Sequence, residues 1–490
     1  MQADTGVLVR EDRIIDVAPF SQLVGRLEPG SYDVKDSDLV MPGLINAHHH
    51  ARVPTPVLMG CPDDFLEPWL LALKGLPPAN GRLVTQASSI RQLRSGVTTV
   101  VHSDGPSAPS LYESLVHDRI EGYAATGQRV AFAVGYTDQN NWVYAPDETF
   151  IVSLPPELQA EVRQSPISGT GFTPAVYEDM FRRIERWARS RLGDLTHVLV
   201  GPLSPLWCSR ESLEMMSHLC RTCGTGLHSH LLESVYQRQH AVSTIGTRVV
   251  PYLRGLDLLS ARTSFAHAVW VTDSDIIELA ETGTTVVHCP SSNLRLRCGI
   301  APVIPMIRAG LPVALGLDAN ALDDDDDLFR EARLASCIHF HPALASGHLS
   351  LANTFRMIFH GGARAALWEE KIGALRPGWQ ADIIGLSTER ARTFSRSDSA
   401  GLFPGVLQRL RADDVRWVMV AGREVVRDGH FLKCDETVLL EELASEVAKG
   451  LSQASRNARF VERVRPYLFD FYLGEEAELG QPFYRFNGSA

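Results

Sequence analysis

Long apolar runs are missing from this chain. None of its 490 residues lies in a hydrophobic stretch of membrane-spanning length, so no transmembrane helix and no membrane partner are expected. A basic surplus is missing as well. Forty-seven Lys and Arg face 58 Asp and Glu, a formal net charge of −11, which argues against nucleic acid as a partner. The opening Met-Gln-Ala-Asp-Thr-Gly has neither the positive region nor the apolar region of a secretory signal. Eight cysteines are scattered at 61, 208, 220, 223, 289, 298, 337 and 434, too dispersed in so long a chain for a disulfide framework. Together these absences make the cytoplasm the expected setting. Only Cys220-x-x-Cys223 is a close pair. It reads as a zinc or redox pair, or as two small apolar residues ending a helix, and no second pair completes a zinc site. Internal repeats and low-complexity linkers are also lacking.

What is present is a soluble, globular composition with 44% apolar residues. Eight short apolar runs rich in Val, Leu and Thr read as buried parallel strands. They are Leu44 to His48, Val97 to His102, Val130 to Gly135, His197 to Gly201, Gly226 to His230, Ser264 to His267, Thr284 to His288 and Pro312 to Asp318. Amphipathic stretches such as Tyr177 to Leu192 and Ser274 to Glu281 lie between them. Strand and helix alternating eight times predict an α/β protein with a (β/α)8 TIM barrel over 43–367. The flanks alternate differently. Gly6 to Val17 reads as a hairpin turning at Glu11-Asp12, and 373–430 reads as further antiparallel strands. The expectation is a small discontinuous β-sandwich domain from 1–42 and 368–434, then a helix and an aromatic, polar tail over 435–490. Two connections, 51–85 and 136–173, are long for such a barrel and are expected to shape a pocket.

Polar groups end the strand-like runs. His48 and His50 close the first run as an H-x-H pair. Two residues apart on a strand, they share a face, while His49 points the other way. His230 ends the fifth run with Glu233 three residues on, and Asp318 ends the eighth. Strand ends converge on one face of a parallel barrel, so these groups become one site. Imidazoles plus a carboxylate are a ligand set for one divalent cation, Zn2+ or alternatively Fe2+, with a position left for water. His228 lies a layer deeper than His230, which points to packing. His102 ends the second run and reads either as packing or as a substrate contact. Gln139, Asn140, Asn141, Trp142 and Tyr144 in the second long connection could bond or stack on a flat polar ring, or form an ordinary surface loop. The acidic run Asp323 to Asp327 precedes a helical pattern and is expected to cap it.

In order along the chain, several phrases resemble the amidohydrolase superfamily. They are Met41-Pro-Gly-Leu-Ile-Asn-Ala-His-His-His50, Arg94-Ser-Gly-Val-Thr-Thr-Val-Val101, His230-Leu-Leu-Glu233, Phe265-Ala-His267, His288-Cys-Pro-Ser-Ser-Asn293, Gly316-Leu-Asp318 and Ile372-Gly-Ala-Leu-Arg-Pro-Gly378. Within it, the likeness is to the mononuclear group of chlorohydrolases and aminohydrolases, which includes guanine and cytosine deaminases and the triazine hydrolases. The resemblance implies that His48, His50, His230 and Asp318 hold the metal and that Glu233 shuttles protons. It implies that His267 contacts the metal-bound water, and it leaves the role of His288 variable. Trp207 falls at the mouth of the fourth strand and, with His102, His288 and Gln139, is a candidate substrate contact. The fourth strand has no lysine to bridge two metals, which favours a single ion. The expected activity is deamination of a small N-heterocyclic substrate with release of ammonia. Hydrolysis of another C–N bond or of a C–Cl bond is the alternative, and a non-catalytic scaffold a third reading. A homodimer or larger homo-oligomer is expected from the resemblance alone.

Overall fold

A computed structural model of the chain describes residues 4–77, 79–165, 169, 171–340, 348–392 and 408–476. Fifteen strands are present among them. β1 (Thr5–Arg10) and β2 (Arg13–Pro19) form a hairpin with Glu11 in the left-handed region at φ 55°. β3 (Leu39–Pro42) leads into β4 (Leu44–His49). β5 (Val97–Ser103), β6 (Arg129–Tyr136), β7 (Thr196–Pro202), β8 (Leu227–Leu231), β9 (Thr263–His267), β10 (Thr285–His288) and β11 (Val313–Leu315) follow, each after helical or looped connections. β4 to β11 pair in sequence order as one parallel eight-stranded sheet. Every residue of β4, β5 and β6 is buried, as a parallel sheet covered on both faces requires. The TIM-barrel expectation holds, with each of the eight apolar runs falling on one strand.

The last and first strands meet through specific donors. The Asp318 N–H donates to the His48 carbonyl at 2.9 Å, and Leu317 N–H donates to the Asn46 side-chain oxygen at 3.0 Å. Asn46 in turn donates to Gln92 Oε1 at 3.0 Å on the helix Gly81–Arg94. One buried amide thus ties β4, the chain after β11 and an outer helix together, in keeping with the demand that buried polar groups find partners. The barrel interior is filled by small and branched residues, among them Ile45, Ala47, Val101, Ala131, Ala133, Leu199, Val287 and Ala314, with Trp368 in the same cluster. A larger apolar layer lies between the strands and the helices.

β12 (Ile383–Leu386), β13 (Val415–Val420), β14 (Arg423–Arg427) and β15 (His430–Phe431) form an antiparallel sheet, and β3 pairs with β12 at its edge. Both ends of the chain therefore contribute to the small β part. The hairpin β1–β2 is a separate two-stranded sheet that touches it through Arg13 and Gln380. The final helix, 436–476, packs on the helices Leu66–Leu73 and Gly81–Arg94. The expected aromatic tail after it lies outside the described residues. No helix among the described residues is long and apolar enough to cross a membrane.

Candidate active site

Several residues at the C-terminal ends of the barrel strands adopt conformations L-residues rarely take. Ala51 (φ 51°), Leu232 (φ 45°), His267 (φ 72°), Ala268 (φ 47°) and Asp318 (φ 57°) all lie in the left-handed region. Each costs on the order of 1–3 kcal/mol and persists only where the surroundings impose it. Such residues also occur in turns elsewhere, but these five meet at one rim.

Six side chains converge there. His50 Nε2 lies 3.2 Å from His230 Nε2 and 3.2 Å from Asp318 Oδ1, and His48 Nε2 lies 3.4 Å from the same Asp318 oxygen. His267 Nε2 stands 3.8 Å from Asp318 Oδ2 and 3.6 Å from Glu233 Oε1. The other nitrogen of each histidine is committed. His50 Nδ1–H donates to the Ser103 carbonyl and His230 Nδ1–H to the Leu203 carbonyl, both at 2.7 Å. Those bonds fix the tautomers and leave two bare Nε2 lone pairs facing each other. Two acceptors at that distance repel unless a cation lies between them. His48 Nε2 and His267 Nε2 are buried with no hydrogen-bond partner. Ligand atoms arranged tetrahedrally about zinc, with bonds of ~2.0–2.1 Å, lie about 3.3 Å apart. The 3.2–3.4 Å spacings of His50 to His230, His50 to Asp318 and His48 to Asp318 match that, so the donor set fits one divalent ion.

Burial sets the charge states. It holds His48 and His230 well below the ordinary imidazole range, which keeps them neutral as ligands must be. Burial pushes Glu233 well above the carboxylate range, helped by the charges of Asp318 and Glu67. Burial acts upward on Asp318 too, but the imidazoles of His48 and His50 beside it outweigh that and hold Asp318 well below that range. Two neighbouring carboxyl groups driven apart in this way are suited to opposite tasks, one holding a proton and one free of it.

A second ring of contacts aims these groups. His48 Nδ1 is 2.7 Å from His228 Nε2, and His228 Nδ1 is 2.7 Å from Ser264 Oγ. A proton on each Nδ1 runs this relay and leaves His48 Nε2 bare. His228 therefore acts on the site through His48 as well as packing. The spacing His228-x-His230 on one strand was the available signal for this. His267 Nδ1 is 2.9 Å from Asn293 Oδ1. Glu233 N–H donates to Gln237 Oε1 at 2.9 Å, and Gln237 donates on to Tyr144 OH at 3.1 Å. Glu67, buried in the first long connection, accepts from Ser234 Oγ, and burial raises its carboxyl to about 6. Nothing in the sequence distinguished Glu67 from Asp63 and Asp64.

The remaining candidates have partners of their own. Val101 belongs to the barrel interior, so alternation turns His102 outward. There it stacks on Phe132 at 4.5 Å and bonds Tyr123 OH at 2.9 Å on the helix Pro109–Thr126. That placement supports the packing reading of His102. His49 also faces outward, with Nδ1–H donating to the Asp318 carbonyl at 2.8 Å and Nε2 3.0 Å from Ser88 Oγ. Gln139 spends its amide on the Leu206 and Cys208 carbonyls, and Asn140 donates to Leu206 at 2.8 Å. These amides brace the loop. Trp207 is half-buried and stacks on Tyr144 at 5.8 Å. His288 Nε2 is 2.9 Å from His339 Nε2. Cys220 and Cys223 end the helix Arg210–Cys223 as free thiols. Of the acidic run, Asp327 caps the helix Leu328–Ile338, while Asp323 and Asp325 pair with Arg330, Asp324 with Arg295, and Asp326 with Arg91.

Comparison with known proteins adds an independent line. A family model described as "Amidohydrolase family" matches residues 39–425. A 5'-deoxyadenosine deaminase of Methanopyrus kandleri is 26% identical, over 92% of this chain and 96% of that protein. An 8-oxoguanine deaminase of Pseudomonas aeruginosa is also 26% identical, over 88% and 91%. Among solved structures, a zinc-bound adenosine deaminase from Xanthomonas campestris superposes with a TM-score of 0.74 at 22% identity, over 92% of this chain and 94% of that one, a likeness of fold.

Proposed function

The chain belongs to the amidohydrolase family, and from that premise we propose that it is a metal-dependent aminohydrolase that removes the amino group of a small nitrogen heterocycle and releases ammonia. The observation that carries this reading is the 3.2–3.4 Å spacing of bare donors on His48, His50, His230 and Asp318, with Glu233 and His267 beside them. The deaminase names of the relatives support the leaving group.

His48, His50, His230 and Asp318 would hold one divalent ion, zinc in preference to ferrous iron. Once bound, such an ion makes hydroxide available from water near pH 7. Glu233, protonated at rest, gives its proton to a ring nitrogen, which makes the amino-bearing carbon electrophilic, and takes one back from the attacking water. His267, whose Nδ1–H is held by Asn293, accepts a hydrogen bond at Nε2 and orients that water. Asp318 accepts the remaining proton from the tetrahedral carbon adduct and passes it to the departing amine. Water is consumed, a ring carbonyl is formed and ammonia leaves. The eight unpaired cysteines support a reducing, cytoplasmic setting. A homodimer or larger homo-oligomer, which the family resemblance supports, is read by light scattering.

Screening zinc-loaded protein for ammonia release from purines, pterins, pyrimidines and triazines tests the activity. At least one class is expected to yield stoichiometric ammonia, with loss on chelation and recovery on adding zinc. Release of chloride, an alkylamine or an acid instead would replace the proposal.

A further inference from the structure

Arg52 stands two residues beyond His50. Ala51 (φ 51°) turns the chain between them at the end of β4. The Nε of Arg52 is buried and has no hydrogen-bond partner. Asp318 and Asp104 lie near enough for their charges to support the guanidinium against its burial. Neither makes an ion pair with it. Asp104 gives both oxygens to Arg119 at 2.8 and 2.7 Å, and Asp318 faces His48 and His50. Other carboxylates of the first long connection are also taken. Asp63 pairs with Arg295 at 2.7 Å, Asp64 with Arg297 and Arg465, and Glu67 accepts from Ser234. Cys61 gives no anion, because burial pushes its thiol up to about 11.

A buried donor left without an acceptor is costly, and such a group persists where a ligand supplies the acceptor. The guanidinium offers a planar fork of donors suited to an exocyclic oxygen. Because Arg52 follows the rim residue His50 by two positions at the end of β4, that oxygen belongs to the ring that reacts and not to a distant tail. Resting on the aminohydrolase reading above, we propose that Arg52 is a specificity-determining residue that binds a ring carbonyl oxygen of the substrate. The substrate class is then an oxo-substituted amino-heterocycle, in preference to an adenine-type ring without a carbonyl.

The test compares zinc-loaded wild type with Arg52→Met and Arg52→Lys, after zinc content and melting temperature are checked. Ammonia release is measured on 8-oxoguanine and guanine and on adenine and 5'-deoxyadenosine. Urate, the oxo-ring that deamination of 8-oxoguanine would give, is titrated by calorimetry. The ratio of kcat/KM for carbonyl-bearing over carbonyl-free rings is expected to fall about 10- to 100-fold in Arg52→Met. Arg52→Lys should fall in between, keeping charge without the fork. A merely structural arginine would lower both classes alike, and a ratio within about threefold of wild type overturns the proposal. If none of the four compounds releases ammonia, the wider substrate screen decides the aminohydrolase reading and urate binding decides on Arg52. Weaker binding by the variant then upholds the oxygen contact, whereas equal binding, or none by wild type, overturns it. Should Arg52→Met fail to hold zinc, Arg52→Lys carries the same comparison.

Discussion

At the residue scale the cluster separates groups that hold from groups that move protons. Glu233 contributes no atom to the 3.2–3.4 Å set, yet its carboxyl lies 3.6 Å from His267 and burial favours its protonated form. Replacing Glu233 with Gln keeps shape and buried polarity but removes the exchangeable proton. Turnover is expected to drop by about 10²- to 10⁴-fold with zinc content unchanged. Steady-state kinetics beside metal analysis checks this, and a variant with wild-type turnover would end the assignment. His228 touches the site only through His48 Nδ1 at 2.7 Å. His228→Ala removes the acceptor that fixes the His48 tautomer, so zinc affinity should weaken about 10- to 100-fold. Competition with a fluorescent zinc chelator reads this. His228→Gln should recover part of the loss, because its amide oxygen can still accept.

At the element scale, the sequence was most legible where chemistry and periodicity coincide. Apolar runs ending in His48, His230, His267, His288 and Asp318 announced both the strands and the rim, because a buried parallel strand is continuously apolar and a polar residue at its end is conspicuous. His102 stayed ambiguous for the same reason. It ends such a run, but strand alternation points it at Tyr123, and which face is inward is decided by packing that no single strand reveals. The loop amides from Gln139 to Asn141 gave no clue that they brace Leu206, Cys208 and Asp147. Glu67, in the short helix Leu66–Leu73, and Arg52, in the loop after β4, were invisible because their importance comes from burial within a long connection whose packing no period announces. The packing of β4 against the end of β11 has a further consequence. A Cβ on Gly316 would lie 2.8 Å from His48 Cβ and 3.0 Å from Val287 Cγ1. Gly316→Ala should therefore cost ~1–3 kcal/mol in stability. It should also lower zinc occupancy by displacing His48. Calorimetric melting and metal content together test this, and full zinc with an unchanged melting temperature would show that β4 has more room than its contacts allow.

Across the whole molecule, buried ionisable groups make stability depend on pH in a direction that can be worked out. Away from the cluster, burial pulls His102, His197 and His339 down to about 4 from an ordinary 6.5. His197 is sandwiched on Trp368 at 3.8 Å, and Arg129 lies over the same indole while pairing with Asp382 at 3.0 Å near the small sheet. Above pH 6.5 these histidines are neutral folded or unfolded and add no pH dependence. As pH falls from 6.5 toward 4 the unfolded chain takes up protons that the folded chain refuses, so stability is lost. Glu331 and Glu67 work in the opposite sense, since burial raises them to about 7 and about 6 from 4.5. Their contribution is complete below pH 4.5 and is lost as pH rises through those values. Three histidines oppose two carboxylates between about pH 4.5 and 6, and below 4.5 the histidines act alone. The melting temperature of zinc-free protein should accordingly decline from pH 6.5 to 4, most steeply at the acid end. Glu331→Gln removes one opposing group and should steepen the decline between pH 4.5 and 6.5. Scanning calorimetry over that range tests both statements, and a melting temperature that stays flat or rises on acidification would mean that these histidines gain protons inside the fold.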